Sequence, residues 1–262
     1  MSVKKRRFII ILSFLFILAL LVSCAADPSR LRVQDSLPQD ELAYYCDNFD
    51  KLREDLWDRA GYLYREEQLK NFVQADMHFK NGKLIVRTKT GKFSKGGLSS
   101  KYWLKGDFDI QLDCRMEFVK GASSMDQMFI FGVFDTSTKL EDNNRVVVGL
   151  SKKESAADIY LSSSYFIGGR KVGGNSKPID NFSGALRILR NGKHISALYK
   201  SRKTAEWSLM GTFHVTDNDL LVGFGLSNFF PERTAIRAEH PLSVEIDSFN
   251  INAAQEIVEE EI

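Results

Sequence analysis

The stretch that decides the fold is Phe93–Phe118, FSKGGLSSKYWLKGDFDIQLDCRMEF. In its second half Phe108, Ile110, Leu112, Cys114, Met116 and Phe118 alternate with Asp107, Asp109, Gln111, Asp113, Arg115 and Glu117. Successive side chains of a strand point to opposite faces. A period of two over twelve residues therefore predicts one long strand, with one face on a core and one face polar.

The flanking sequence continues the pattern in shorter pieces. Tyr44–Asp50 (YYCDNFD) reads as an opening strand. Leu52–Tyr64 offers Leu52, Leu56 and Trp57 to one side of a short helix, interrupted at Gly61. Met77–Thr90 is a hairpin turning at Asn81-Gly82, a pair that accepts the positive φ of a two-residue turn. Met128–Phe134, Arg145–Ser151 and Asp158–Ser162 are short and rich in β-formers. A second hairpin, Ala185–Lys200, turns at Asn191-Gly192, and Trp207–Val215, Leu220–Leu226 and Leu242–Ile251 complete the set. About eleven short strands without a long amphipathic helix predict an all-β sandwich or barrel. Nineteen Phe and eight Tyr agree with that class. Residues 44–252 form the domain, and the acidic end 253–262 (AAQEIVEEEI) is expected to fray or to be weakly helical.

The chain begins with Lys4-Lys5-Arg6-Arg7, an apolar run Phe8–Val22 broken only by Ser13, and then Leu21-Val22-Ser23-Cys24. A basic start, a short apolar middle and a small-residue site make a secretory signal over residues 1–23. The run has 15 residues, short of the roughly 20 that span a bilayer as a helix. Leu-Val-Ser-Cys resembles the lipobox of bacterial lipoproteins. That resemblance implies cleavage before Cys24 and lipidation of Cys24, so the membrane is a partner through the N-terminal lipid. Each buried methylene contributes about 0.8 kcal/mol, so several acyl chains hold a protein without a spanning helix. Ala25 follows Cys24 where an Asp would point to inner-membrane retention, so a diderm host predicts the outer membrane. Residues 24–43 are expected to act as a flexible tether.

The formal charge is +2, but without the four basic residues of the signal the body carries 32 basic and 34 acidic residues. A near-neutral body without a basic stripe argues against nucleic acid as a partner. Four His without ligand spacing and no Cys-x-x-Cys argue against a transition-metal site. Gly169–Ser176 (GRKVGGNS) has the outline of a phosphate loop, but Asn175 stands where Lys is needed. There is no Gly-x-Ser-x-Gly elbow. Cys46 and Cys114 remain after Cys24. An oxidising compartment allows a disulfide between them, but the apolar face around Cys114 favours a buried thiol.

The order of four stretches resembles the concanavalin A-like lectin/glucanase superfamily, a jelly-roll sandwich of two antiparallel sheets. Asp47–Asp50 (DNFD) with Trp57 looks like its opening, and Lys80–Val86 (KNGKLIV) like its next hairpin. Gly96–Glu117 looks like its following pair of strands, and Gly223–Leu226 with Val244–Ile251 like its closing strands. The opening is nearest to family-16 glycoside hydrolases, which place Glu-x-Asp-x-x-Glu on a mid-chain strand as nucleophile and acid/base. Met125–Leu150 has no such pattern. Glu245-Ile246-Asp247 is a partial copy on the last strand, with Asn250 in place of the second Glu, and reads as an ordinary closing strand.

The resemblance implies glycan binding, with catalysis disfavoured by the missing motif. Sugar platforms need exposed aromatic rings. Tyr102, Trp103, Tyr160, Tyr165, Trp207 and Phe229 are candidates, with Trp103 and Tyr165 the better placed near loops and Trp57 and Trp207 assigned to the core. Asp109, Gln111, Asp113 and Arg115 offer hydrogen bonds from the polar face of the long strand, against the plainer reading of a solvated face. Asp109 and Asp113 lie about 13 Å apart at strand rise, too far for a catalytic pair. The family often holds one structural Ca²⁺, and Asp47, Asp50 and Asp247 are the matching positions, with no other cofactor required. Two other functions stay open: a glycoside hydrolase or lyase with non-standard carboxylates, and a structural or protein-interaction module of the envelope.

Overall fold

A computed structural model describes residues 32–59, 73–90, 93–119, 126–135, 144–153, 158–204, 206–229 and 240–259. The signal segment, Cys24 and the second half of Leu52–Tyr64 lie outside the described residues. Val33–Ile262 forms one compact unit. Its described elements are α1 (Gln39–Tyr44), β1 (Trp57–Arg59), β2 (Val73–Gln74), β3 (Asp76–Phe79), β4 (Leu84–Arg87), β5 (Ser94–Glu117), β6 (Asp126–Asp135), β7 (Arg145–Lys152), β8 (Ile159–Ile167), β9 (Arg170–Ile179), β10 (Phe182–Asn191), β11 (His194–Ser201), β12 (Ser208–His214), β13 (Leu220–Phe229) and β14 (Ser243–Glu259). Among these residues no helix is long and apolar enough to cross a membrane.

The predicted long strand is β5, and it organises both layers. Phe108, Ile110, Leu112, Cys114 and Met116 are fully buried, as the alternation requires. The strand changes neighbours around Gly106, whose φ of +71° suits glycine. Before it, β5 pairs with β13 on one side and with β2, β1 and the end of β14 on the other, and the sheet runs on from β13 through β6, β7, β8 and β9. After it, β5 lies between β10 and β14, with β11 and β12 beyond β10 and β4 and β3 beyond β14. Apolar faces of the two layers meet in one core, where Phe131 of β6 packs on Phe249 of β14 at 6.3 Å and Tyr165 of β8 on Phe213 of β12 at 5.9 Å. Trp57 is almost wholly buried among Phe49, Phe224 and Phe249. The result is a jelly-roll sandwich of antiparallel sheets, as the alternation and turn signals predict.

The ends differ from expectation. The compact unit begins at Val33, inside the stretch 24–43 expected to be a tether. Leu37 N–H donates to the Ala254 carbonyl at 2.8 Å, and Leu42 of α1 is 1% exposed, so burial pins a segment whose polar composition suggested none. The acidic end is not frayed or helical through Glu259. It is the last part of β14, paired to β5 as far as Glu259↔Tyr102. Three register shifts in β14 break the period of two that would have shown it. Asn81 and Gly82 both have positive φ and make the predicted turn. The second turn sits one residue further on, since Asn191 pairs with His194 and Gly192-Lys193 form the corner. Gly192 has φ +54°, which suits glycine at the first corner position.

Candidate functional site

The first half of β5 alternates as strictly as the second. Leu98, Tyr102 and Leu104 enter the core, which leaves Gly97, Ser99, Lys101 and Trp103 on the outer face of the β5–β13–β6–β7–β8 sheet. Register places Trp103 beside Leu221, Leu221 beside Phe134, Phe134 beside Arg145, and Arg145 beside Phe166. Trp103, Arg145 and Phe166 are half-buried in this row, whereas Leu221 (8% exposed) and Phe134 (2%) are buried. Arg145 lies over the Phe166 ring at 4.0 Å. The next two rows are Ser99, Gly223, Gly132, Val147, Ser164 and Gly97, Gly225, Ile130, Gly149, Ser162. An aromatic row thus borders a floor made mostly of Gly and Ser. A Cβ on Gly132 would come within 2.6 Å of Val147 Cγ1, and one on Gly149 within 1.9 Å of the Phe129 carbonyl oxygen, so the floor stays low by construction.

At the β1 side of this face an open pocket of about 660 Å³ is lined by Glu54, Asp58, Arg59, Ser99, Lys101 and Trp103, with Leu52, Trp57, Ser100 and Leu221 beneath. Asp58 is set beside Ser99 by the β1–β5 register, and Lys101 Nζ pairs with it at 3.4 Å. An indole face next to a hydroxyl, two carboxylates and two cations matches what a sugar presents: an apolar ring face edged by hydroxyls. Of the residues the sequence offers as ligand contacts, Trp103 alone lies in this pocket. Lys101, Ser99 and the floor were legible in principle, because SKGGLSSKYW and the glycines at 132, 149, 223 and 225 follow the same period of two.

The other named residues lie elsewhere. Tyr165 is not an exposed platform: it is 8% exposed and packs on Phe213 between the sheets, and burial raises its phenol pKa. Asp109, Gln111, Asp113 and Arg115 face out from the second half of β5, on the opposite layer to Trp103, and each has a partner within the protein. Arg187 grips Asp109, Gln111 donates to Asp113 at 2.7 Å, Ser248 donates to Asp113 at 3.2 Å, and Arg115 pairs with Glu117. Trp207 is not in the core. It is half-buried on this same outer face, between Arg187 at 5.3 Å and Lys200 at 4.9 Å. Tyr160 is half-buried, and Tyr102 is enclosed by Tyr45 and Trp57.

The three carboxylates matched to calcium each have partners within the protein, and Asp47 and Asp50 line one pocket with Asn48, Ser248 and Asn250. Asp47 accepts the Phe49 N–H at 2.7 Å and the Trp57 indole N–H at 2.9 Å, which holds Phe49 at φ +56°. Burial raises the Asp47 pKa, and those two hydrogen bonds oppose the rise. Asp50 accepts from Asn48 at 2.8 Å, and Asp247 is shared by Lys83 at 2.9 Å and Arg202 at 2.7 Å. Among the described residues no group of three His, Cys, Asp or Glu could hold a metal ion. Cys46 and Cys114 are free thiols, not a disulfide. Cys114 is buried on the core face of β5, and the Ile251 N–H donates to the half-buried Cys46 Sγ at 3.4 Å.

No family model and no curated protein matches the chain. Solved structures do. The catalytic domain of an endo-1,3-β-glucanase (laminarinase) from Thermotoga petrophila superposes with a TM-score of 0.57 at 9% identity, covering 87% of this chain and all of that one. A pseudo β-1,3-glucanase of Mycobacterium tuberculosis, described as an immunostimulatory antigen, gives 0.54 at 12% identity over 83% and 98%. The CBM2 module of the evolved Dit of Lactobacillus casei phage J-1 gives 0.54 at 11% identity over 79% and 95%. Identities this low speak for the backbone alone, and the chain has the concanavalin A-like jelly-roll fold that its turn and strand order foreshadow.

Proposed function

We propose that this chain is an envelope-anchored lipoprotein whose β-sandwich binds a glycan at the Trp103 pocket without cleaving it. The observation that carries the reading is the indole of Trp103 in an open pocket with Ser99, Asp58, Arg59 and Lys101, which meets the Gly/Ser rows of the same sheet at Ser99. A sugar ring in this pocket can stack on the indole and reach charged hydrogen-bonding groups. Neighbours of the same fold include a glucanase and a pseudo-glucanase, which makes a glycan the first ligand to try. The absence of cleavage is supported by the strands where a glucanase carboxylate motif would lie. Among the described residues of 125–150 the carboxylates are Asp126, paired with Lys153 at 2.8 Å, and Asp135, buried and hydrogen-bonded to Asn218 at 2.6 Å. Lipidation at Cys24 rests on the Leu-Val-Ser-Cys sequence after its apolar run.

The test is native affinity electrophoresis of the mature chain in gels cast with a panel of polysaccharides. Retardation by one polymer names the ligand class. Clearing of polymer along the track would make the protein an enzyme, and Glu54 and Asp58, both in the pocket, would be the first carboxylates to substitute. Unchanged mobility in every gel would turn the assignment to a structural or protein-binding module.

A further inference from the structure

One end of the sandwich is stitched together by a chain of hydrogen bonds that starts where residue 34 enters the domain. Gln255 donates to the Gln34 carbonyl at 3.2 Å and accepts from the Asp107 N–H at 2.8 Å. Asp107 accepts from the Gly192 N–H at 2.6 Å, and Arg190 donates to the Gly192 carbonyl at 3.1 Å and the Asn218 carbonyl at 2.8 Å. Asn218 donates to Asp135 at 2.6 Å, Asp135 N–H to the Asn144 carbonyl at 2.8 Å, and Asn144 Oδ1 accepts from the Gly168 N–H at 3.1 Å. The turn between β8 and β9, Gly168-Gly169, therefore lies at the same end as the incoming chain, and both its glycines have positive φ. Around that turn Ile167 is 48% and Val172 56% exposed, among the few large apolar side chains on the described surface. Arg170 and Lys171 stand beside them, both exposed. From Tyr160 to Ile179 there is no carboxylate. Elsewhere at this end Asp217 is paired with Arg190 and Glu256 with Lys105, while Asp35, next to Gln34, and Asp219 are exposed; Glu141 and Asp142 lie outside the described residues.

We propose that the β8–β9 tip is a second membrane contact, in which Ile167 and Val172 enter the interface of an anionic bilayer and Arg170 and Lys171 meet its headgroups. The inference rests on lipidation of Cys24. Gln34 lies ten positions after Cys24, a span of at most about 35 Å, so the end that bears the tip is the one held near the bilayer. A basic residue next to an anionic surface favours partitioning about fivefold, and two apolar side chains beside two basic ones suit the headgroup boundary.

The experiment is hydrogen exchange on the full mature chain, in vesicles of phosphatidylcholine alone and with about one-third phosphatidylglycerol, with the mass of the Cys24 peptide read in the same sample. The expected result is exchange of the 160–179 peptide slowed about tenfold in the anionic vesicles, and restored by Ile167→Asp with Val172→Asp while the acylated Cys24 mass persists. An acylated, vesicle-bound chain whose hairpin exchanges as fast as in detergent overturns the tip contact and leaves the anchor standing. A chain without acyl mass overturns the anchor, and its hairpin, if still protected by anionic vesicles, keeps the contact. Protection that appears without lipid and grows with protein concentration would give the tip to a second copy of the chain and overturn the proposal.

Discussion

Arg187 closes its fork on both carboxylate oxygens of Asp109, at 2.7 and 2.6 Å, with the two side chains only 11% and 9% exposed. Asn252 gives Asp109 a third bond at 3.2 Å, and Trp207 lies against the guanidinium. The pair ties β10 to β5 on the outer face of the second sheet. Removing one member of a buried pair leaves the other charge without compensation, a loss of about 3–5 kcal/mol. Arg187→Met is expected to cost about 3 kcal/mol in urea unfolding. Arg187→Met combined with Asp109→Leu should recover most of that, because two apolar groups need no partner. An equal loss in single and double variants would mean that packing, not charge, is what the pair supplies.

Acid should weaken a different pair. Hydrogen bonds from Arg53 pull Asp55 down to about 2 from its ordinary 3.8. A carboxylate depressed on folding adds stability that is fully present above its unfolded value and is lost as pH falls through the folded one. Asp55 is 45% exposed, so solvent screening limits the effect to about 0.5 kcal/mol. Asp55→Asn should lower the urea midpoint at neutral pH and leave it unchanged near pH 2. A loss of the same size at both would assign Asp55 a role independent of its charge.

How much of this was legible in the sequence follows from which physical signals are local. Alternation in Asp107–Phe118 and the Asn81-Gly82 turn are local, and both predictions match the structure. The β14 extension past Ala253 escaped because bulges destroyed its period, and the pinning of Leu37 escaped because its partner, Ala254, is over two hundred residues away. The polar face of β5 was read correctly as a face but not as a set of pairs, since Arg187, Ser248 and Asn252 come from other strands. Tyr165 was misplaced although its own strand carries the signal: it continues the buried parity of Ile159, Leu161 and Ser163, and the register shift comes only after it. The Trp103 pocket combines a strand residue with Asp58 and Arg59 from β1, a three-residue strand with no period to read.

The two free thiols make a simple chemical prediction. Cys114 is wholly buried, and burial raises the pKa of both thiols, most for Cys114. Thiolate is the reactive form, so native mature chain without reductant should alkylate slowly at Cys46 and not at Cys114. Unfolding should expose both to full alkylation. A mass short by two hydrogens and resistance to alkylation until reduction would instead assign a disulfide.

Trp103 and Trp207 stand on opposite outer faces of the sandwich, and that opposition can decide where a glycan binds. Trp103 borders the open pocket and the glycine floor. Trp207 is clasped by Arg187 and Lys200 over carboxylates that already have partners. A ring that stacks on a sugar needs hydroxyl-binding groups beside it, and Trp103 has Ser99, Asp58, Arg59 and Lys101 lining the same pocket. Trp103→Ala should therefore weaken binding of a retarding polysaccharide at least tenfold, about 1.4 kcal/mol, while its unfolding midpoint stays near that of the parent because the side chain lies outside the core cluster. Trp207→Ala should leave binding within about twofold and instead lower stability, since it uncovers the Arg187–Asp109 pair. Titration by fluorescence separates the two, because ligand-induced quenching should survive in Trp207→Phe and vanish in Trp103→Phe. The reverse pattern would move the binding face to the second sheet, and with it Asp109, Gln111, Asp113 and Arg115.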